Sequence, residues 1–201
     1  MLEADLGRLA SRLEAEKQVK SATVERVFPS SLRVRVRERV PVLRLVTEAR
    51  DGRRSVRLVA RDGTLYAGVG YPEGMRRRLP YLRPYRRPDG GVLPLAGVET
   101  VAAFLETARR EYPEVYRRWK VVSLEDYSGS PDMPGEVIAV RPSSGPRVLF
   151  AAGGSPGRQL KRLQYILDYA ERRNLPPMER IDLSLRGSAA VQFTDGRRRE
   201  M

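Results

Sequence analysis

Enzyme chemistry most often starts from histidine or cysteine, and this chain of 201 residues has neither. Their absence removes Ser-His and Cys-His nucleophilic catalysis, thiolate metal sites and disulfides. Carboxylates, lysines, tyrosines and serines remain. The carboxylates are scattered. Glu125 and Asp126 end one apolar run and Asp182 lies on the polar side of another, and no pair has the spacing of a metal loop or a glycosidase dyad. A glycine-rich run at 153–157, GGSPG, precedes a helical pattern, and helix N-termini hold anions. Arg158 and Gln159 follow it, where a nucleotide loop needs Lys and then Ser or Thr. The run therefore reads as a strand-to-helix turn, with Ser155 as N-cap and Pro156 at the first helical position. The pattern calls for no cofactor and no metal, and the expectation is a protein that is not an enzyme.

What the residue types do suit is recognition. The net charge is +13, and charged residues make up 31% of the chain. Such a surface favours polyanions: nucleic acid, anionic lipid or acidic proteins. Arg33, Arg35, Arg37 and Arg39 alternate with Leu32, Val34 and Val36, which reads as a strand with one basic and one buried face. The stretch 75–87, MRRRLPYLRPYRR, interleaves Tyr81 and Tyr85 with arginines and is the best place for a nucleic acid to stack. Pro-rich basic loops are more often only surface. The third candidate is RIDLSLRGSAAVQF, 180–193, where Ile181, Leu183, Leu185, Ala189, Val191 and Phe193 share one parity. A period of two marks a strand with one buried face, here close to the end of the chain. A three-residue loop, Arg186-Gly187-Ser188, would fold it into a hairpin with Leu183 opposite Val191 and Ile181 opposite Phe193. A single bent strand would keep the same parity. On the hairpin reading, 189–193 pairs on one side only and leaves an outer backbone edge to be filled.

The elements that must position these residues follow from periodicity. Leu2, Leu6, Leu9 and Leu13 predict an amphipathic helix over 2–16. Strands follow over 22–28 and 32–39, then an apolar run over 42–46. The charged, turn-like stretch 47–55 is the candidate domain boundary. Beyond it come a strand over 55–60, an Asp62-Gly63 hairpin signal, and a long Pro- and Arg-rich loop over 70–97. A helix over 98–110, a strand from Trp119, strands over 136–141 and 147–151, and a helix over 156–173 lead to the final stretch. The tail from Thr194, TDGRRREM, is expected to be disordered. The class is α+β: a helix-and-hairpin unit, then a larger antiparallel β-sheet domain with two helices packed on it. No run of about 20 uncharged apolar residues is present, so the chain as given has no membrane span.

Several of these stretches occur together in one known family. VKSATVERVFPSSLRVRVRERVPV, 19–42, resembles the second half of a polypeptide-transport-associated (POTRA) domain, most closely that of the bacterial cell-division family FtsQ/DivIB. LVARDGTLY (58–66), LPYLRP (79–84), RVLFAAGGSPGRQLKRLQYIL (147–167) and RIDLSLRGSAAVQF resemble further family stretches in the family's order. The resemblance implies a partial POTRA-like domain over 1–50, an FtsQ-type β domain over 51–195 and a disordered tail over 196–201. It implies a non-enzymatic divisome scaffold on the extracytoplasmic, periplasmic side of the cell inner (cytoplasmic) membrane, at the septum. Its partners would be single-span FtsL/FtsB-like proteins, through which septal peptidoglycan synthesis is regulated. The family's C-terminal strand receives its partner by strand addition, or β-augmentation. Carried over by position, the partner surface is Leu185, Gly187, Ser188 and Phe193, with the backbone of Ala189, Ala190, Val191 and Gln192 as ladder. The anionic membrane surface is a further expected contact, nucleic acid is the alternative, and no small-molecule substrate is expected. Two departures stand out. The family's cytoplasmic tail, membrane span and first POTRA strand and helix have no counterpart in these residues. An upstream segment is the expectation, or else a POTRA unit short of one strand. Ser184-Leu185 also stands where the family has Arg-Tyr, which removes the tyrosine contact.

Overall fold

The computed structural model describes residues 5–49, 51–84, 95, 97–130, 132–133, 135–185 and 187–200. Leu2 of the first helix, Tyr85 to Arg87 of the basic stretch and Arg186 of the last turn lie outside the described residues.

The chain starts with α1 (Leu6–Glu14), capped by Asp5, whose side chain accepts the Arg8 backbone N–H at 3.0 Å. Two antiparallel strands follow, β1 (Val19–Val27) and β2 (Ser31–Glu38), and they form a sheet of their own. Their register pairs Val24 with Val34 and Glu25 with Arg33. The apolar parity of 32–36 is thus on one face, as expected, but that face is not buried. None of residues 5–40 is buried.

The main chain enters the large sheet at Pro41. β3 (Pro41–Glu48) pairs antiparallel with β4 (Arg54–Ala60), which pairs with β5 (Leu65–Tyr66). The expected boundary at 47–55 is instead the turn of this hairpin. Gly52 sits at φ 77° and donates its N–H to the Ala49 carbonyl at 2.9 Å, so Asp51-Gly52 is a turn signal of the same kind as Asp62-Gly63. The sheet break falls at Val40-Pro41. Proline has no N–H for continued hairpin pairing, and Leu43 and Leu45 need a core that β1 and β2 do not offer.

The expected loop at 70–97 holds α2 (Glu73–Arg78) and β6 (Tyr81–Arg83). After α3 (Val98–Glu111) and the short α4 (Pro113–Arg118) come β7 (Trp119–Ser123), β8 (Val137–Pro142) and β9 (Arg147–Ala151). Then α5 (Pro156–Arg172) leads to β10 (Met178–Asp182), β11 (Ala190–Phe193) and β12 (Arg198–Glu200). The ten strands run β12-β11-β10-β9-β8-β7-β6-β3-β4-β5. The class is α+β, with a mixed sheet rather than a wholly antiparallel one. β9 and β10 are parallel because α5 crosses between them, and β6 and β7 are parallel because α3 and α4 do. β3 and β6 are parallel as well.

One main core cluster explains the arrangement, with Leu58, Ala60 and Tyr66 in a second, smaller one. Val98, Val101, Phe104 and Leu105 of α3 and Leu160, Leu163 and Ile166 of α5 join the inward residues of the strands in one buried cluster. Phe104 stacks on Trp119 at 5.5 Å and meets Phe150 at 4.6 Å. Gly97, before α3, sits at φ 82°, and a Cβ there would lie 2.2 Å from the Tyr127 ring. Conformation and space both require glycine.

Candidate partner-binding edge

The C-terminal edge of the sheet is built by α5 and the strands after it. The turn before α5 is closed by the buried Gln159. Its side-chain amide accepts from Ala151 N at 2.8 Å and donates to Ala151 O at 3.1 Å. Ser155 holds the N-cap position without a side-chain cap bond. The turn does structural work for β9 and α5. From α5, Arg162 donates to the Ser188 carbonyl and so ties the last loop to the helix.

β10 ends early because Asp182 folds the chain. Its carboxylate accepts from Ser184 N at 3.1 Å, Ser184 Oγ at 2.6 Å and Arg180 at 2.8 Å. Burial pushes this carboxyl up, but the hydrogen bonds from Ser184 and Arg180 outweigh it and hold the group below its ordinary value. The register pairs Asp182 with Ala190 and Ile181 with Val191, two residues away from the expected pairing of Ile181 with Phe193. The connection spans 183–189 rather than 186–188. A shift of two keeps the faces, so parity survives while the loop widens.

The sequence candidates therefore divide. Ala189, Val191 and Phe193 point into the core and are 1–2% exposed. They can support a partner edge only through their backbone. Leu185 is 44% exposed, and Ala190 is exposed as well. Ser188 and Gln192 are half-buried, and Gln192 donates to Glu179 at 3.2 Å. Gly187 is exposed at φ 82° with open space around it, so conformation alone favours glycine there.

The outer edge of β11 is not vacant. Residues 198–200, expected to be disordered, form β12 and pair Ala190 with Glu200, Val191 with Arg199 and Gln192 with Arg198. Phe193 N donates to Arg197 O at 2.9 Å, and Gly196 turns at φ 83°. The signal was present in the sequence: Asp195-Gly196 is an Asp-Gly turn signal like those at 51–52 and 62–63. β12 is exposed along its whole length and is the edge strand at this end of the sheet.

The basic stretch at 75–84 is committed to the fold. Leu82 is buried. Arg44 lies over the Tyr81 ring at 3.9 Å, Arg77 pairs with Glu73, and Arg83 meets Glu125 at 3.6 Å. Tyr81 thus has one face covered and is fixed in a central strand, which leaves it a poor platform for a base. Among the described residues, no group of three or more Asp or Glu side chains could hold a metal ion, and no helix is long and apolar enough to cross a membrane.

Comparison with known families gives a match at the N-terminal end. The model described as POTRA domain, FtsQ-type covers residues 1–39, which are α1, β1, β2 and the residues flanking them. It supports a POTRA/FtsQ-like domain at this end of the chain and points to a cell-division scaffold. No curated protein matches the chain.

Proposed function

We propose that this protein is a non-enzymatic scaffold of the bacterial division machinery on the extracytoplasmic side of the cytoplasmic membrane. It binds FtsL/FtsB-like single-span partners by strand addition and through them helps regulate septal peptidoglycan synthesis. The FtsQ-type match over residues 1–39 carries this reading. An exposed strand at the C-terminal sheet edge supports it, because main-chain groups there can extend the ladder, and Leu185 in the 183–189 connection is an exposed apolar side chain. The net charge of +13 favours acidic partner residues and an anionic membrane surface nearby.

The test is binding of a purified FtsB-like extracytoplasmic segment to the full chain. Truncation before Gly187 would remove Ala189, Val191 and Phe193 from the core and confuse misfolding with lost binding. Leu185→Asp and removal of 196–201 spare the core, and each is expected to weaken binding about tenfold or more, near 1.4 kcal/mol. Unchanged affinity in both variants would refute the proposal.

A further inference from the structure

The large sheet has two faces, and α3, α4 and α5 pack on one of them. Val122, Val140, Val148 and Phe150 point to that side and join the main core cluster. Val121, Ser123, Ala139 and Arg141 alternate with them and stand on the other face. Arg83 of β6 and Arg147 of β9 stand there too. The register lines them up: Arg83 pairs with Ser123, Ser123 with Ala139, and Val121 with Arg141. Val140 pairs with Val148, so Arg141 and Arg147 are neighbours across β8 and β9.

Three arginines thus rise around small residues. Ser123 and Ala139 lie low between them, 7% and 3% exposed. Together they line a depression of about 70 Å³. That is too small for a whole organic ligand, but it suits one oxyanion. The charges around it are unevenly matched. Glu125 accepts from Ser123 Oγ at 2.8 Å and stands 3.6 Å from Arg83. Asp126 stands 3.9 Å from Arg147. Both separations exceed those of a hydrogen-bonded ion pair. Arg141 has no ion-pair partner among the described residues. Each guanidinium presents five donors in a planar fork that matches a carboxylate, so much donor capacity is left over.

We infer that Arg83, Arg141 and Arg147 form an oxyanion site, which takes a carboxylate from an acidic segment of a partner protein. Glu125 and Asp126 already show what these arginines attract, and Glu125 stands in for the ligand. A phosphate chain fits less well. Glu125 and Asp126 lie at the site, and Asp182 shares its face beside Leu149, so continuous negative charge would be repelled. A second copy brings the same excess of cations, 38 Lys and Arg against 25 Asp and Glu. The site lies on the face of the sheet and uses neither β12 nor Leu185, so it does not depend on the division role.

The test is fluorescence anisotropy of the full chain with a labelled peptide of about six residues that alternates glutamate and glycine, beside its glutamine counterpart. The glutamate peptide binds and the glutamine peptide does not. Arg141→Ala with Arg147→Ala weakens binding about tenfold or more. Lysine at both positions restores only part of the loss, because an ammonium lacks the fork. Arg33→Ala with Arg37→Ala removes the same charge elsewhere and leaves affinity within about twofold at physiological salt. Glu125→Gln removes the stand-in and tightens binding, and removal of 196–201 leaves the peptide bound. None of the substituted side chains is buried, so circular dichroism melts match the parent. Equal loss in the two arginine pairs would reduce the effect to net charge. Displacement by inorganic phosphate or an oligothymidylate at matched charge would assign the site to phosphate. Either result, equal binding of the glutamine peptide, or loss on removal of 196–201 overturns the inference.

Discussion

β2 and β11 are both short strands with alternating apolar residues, and both lie at or next to the edge of a sheet. They differ in what lies over them. Val191 and Phe193 of β11 face α5 and the core, while Val34 and Val36 of β2 stay half exposed. Alternation decides which residues share a face, and a covering layer decides whether that face is buried. The sheet that begins at Pro41 has α3 and α5 as its second layer. The hairpin before it has α1, which packs on one strand of two.

The two regions meet in a polar clasp. The Arg39 side chain donates to the carbonyls of Lys17 and Val19 and pairs with Asp62 at 3.0 Å, while its carbonyl accepts from the hydroxyls of Tyr66 and Tyr71 at 3.0 and 2.8 Å. The Gln18 side chain accepts from Val69 N at 3.0 Å and donates to Val69 O at 2.9 Å. Burial, followed by the hydrogen bond with Tyr71, pushes the Tyr66 hydroxyl well above its ordinary value, so it stays a donor. Hydrogen bonds, rather than apolar packing, hold the hairpin to the sheet.

This contrast can be broken in stages. The largest effect is expected in the covered region: Phe150→Ala should cost about 3–5 kcal/mol in denaturant unfolding, because it opens the cluster with Phe104 and Trp119. Gly97→Ala follows, at about 2–3 kcal/mol, from a left-handed backbone plus the Tyr127 clash. Arg39→Ala should act on the junction, with hairpin amides losing roughly tenfold protection in hydrogen exchange and the main unfolding transition hardly moving. Asp182→Ala should cost about 1–2 kcal/mol by unpairing Ser184 and loosening 183–189. The same contribution has a pH sign. A carboxyl held below its ordinary value stabilises fully above that value, near pH 4, and the stability is lost as pH falls through the native pKa. The gap between wild type and Asp182→Ala should therefore be constant at neutral pH and close in acid. Smallest of all, Val34→Ala should cost less than about 0.5 kcal/mol. A loss of about 2 kcal/mol there would show the hairpin to have a core after all.

Much of this was legible in the chain. Long helices with clear apolar stripes, such as 156–172, and strands between turn residues, such as 147–151, announce themselves by period and punctuation. β6 did not, because three residues between prolines carry no period, and its place at the middle of the sheet is set by parallel neighbours distant in sequence. The Asp-Gly turns at 51–52 and 195–196 were readable, but their charged surroundings suggested a linker and a tail. The faces of 181–193 followed from parity. Their register did not, because the Asp182 turn and the Arg162 tie to Ser188 outrank the shortest loop. Which candidate site residues could touch a partner with a side chain depended on burial. That left Leu185 and Ala190 outward and turned Phe193 in.

Hydrogen exchange on the full chain, with and without a saturating FtsB-like segment, tests the proposed role most directly. Strand addition at the C-terminal edge predicts new amide protection at 198–200 and in 185–192, with 31–38 unchanged. Unaltered exchange at the C-terminal edge, or protection appearing only at 31–38, would contradict it.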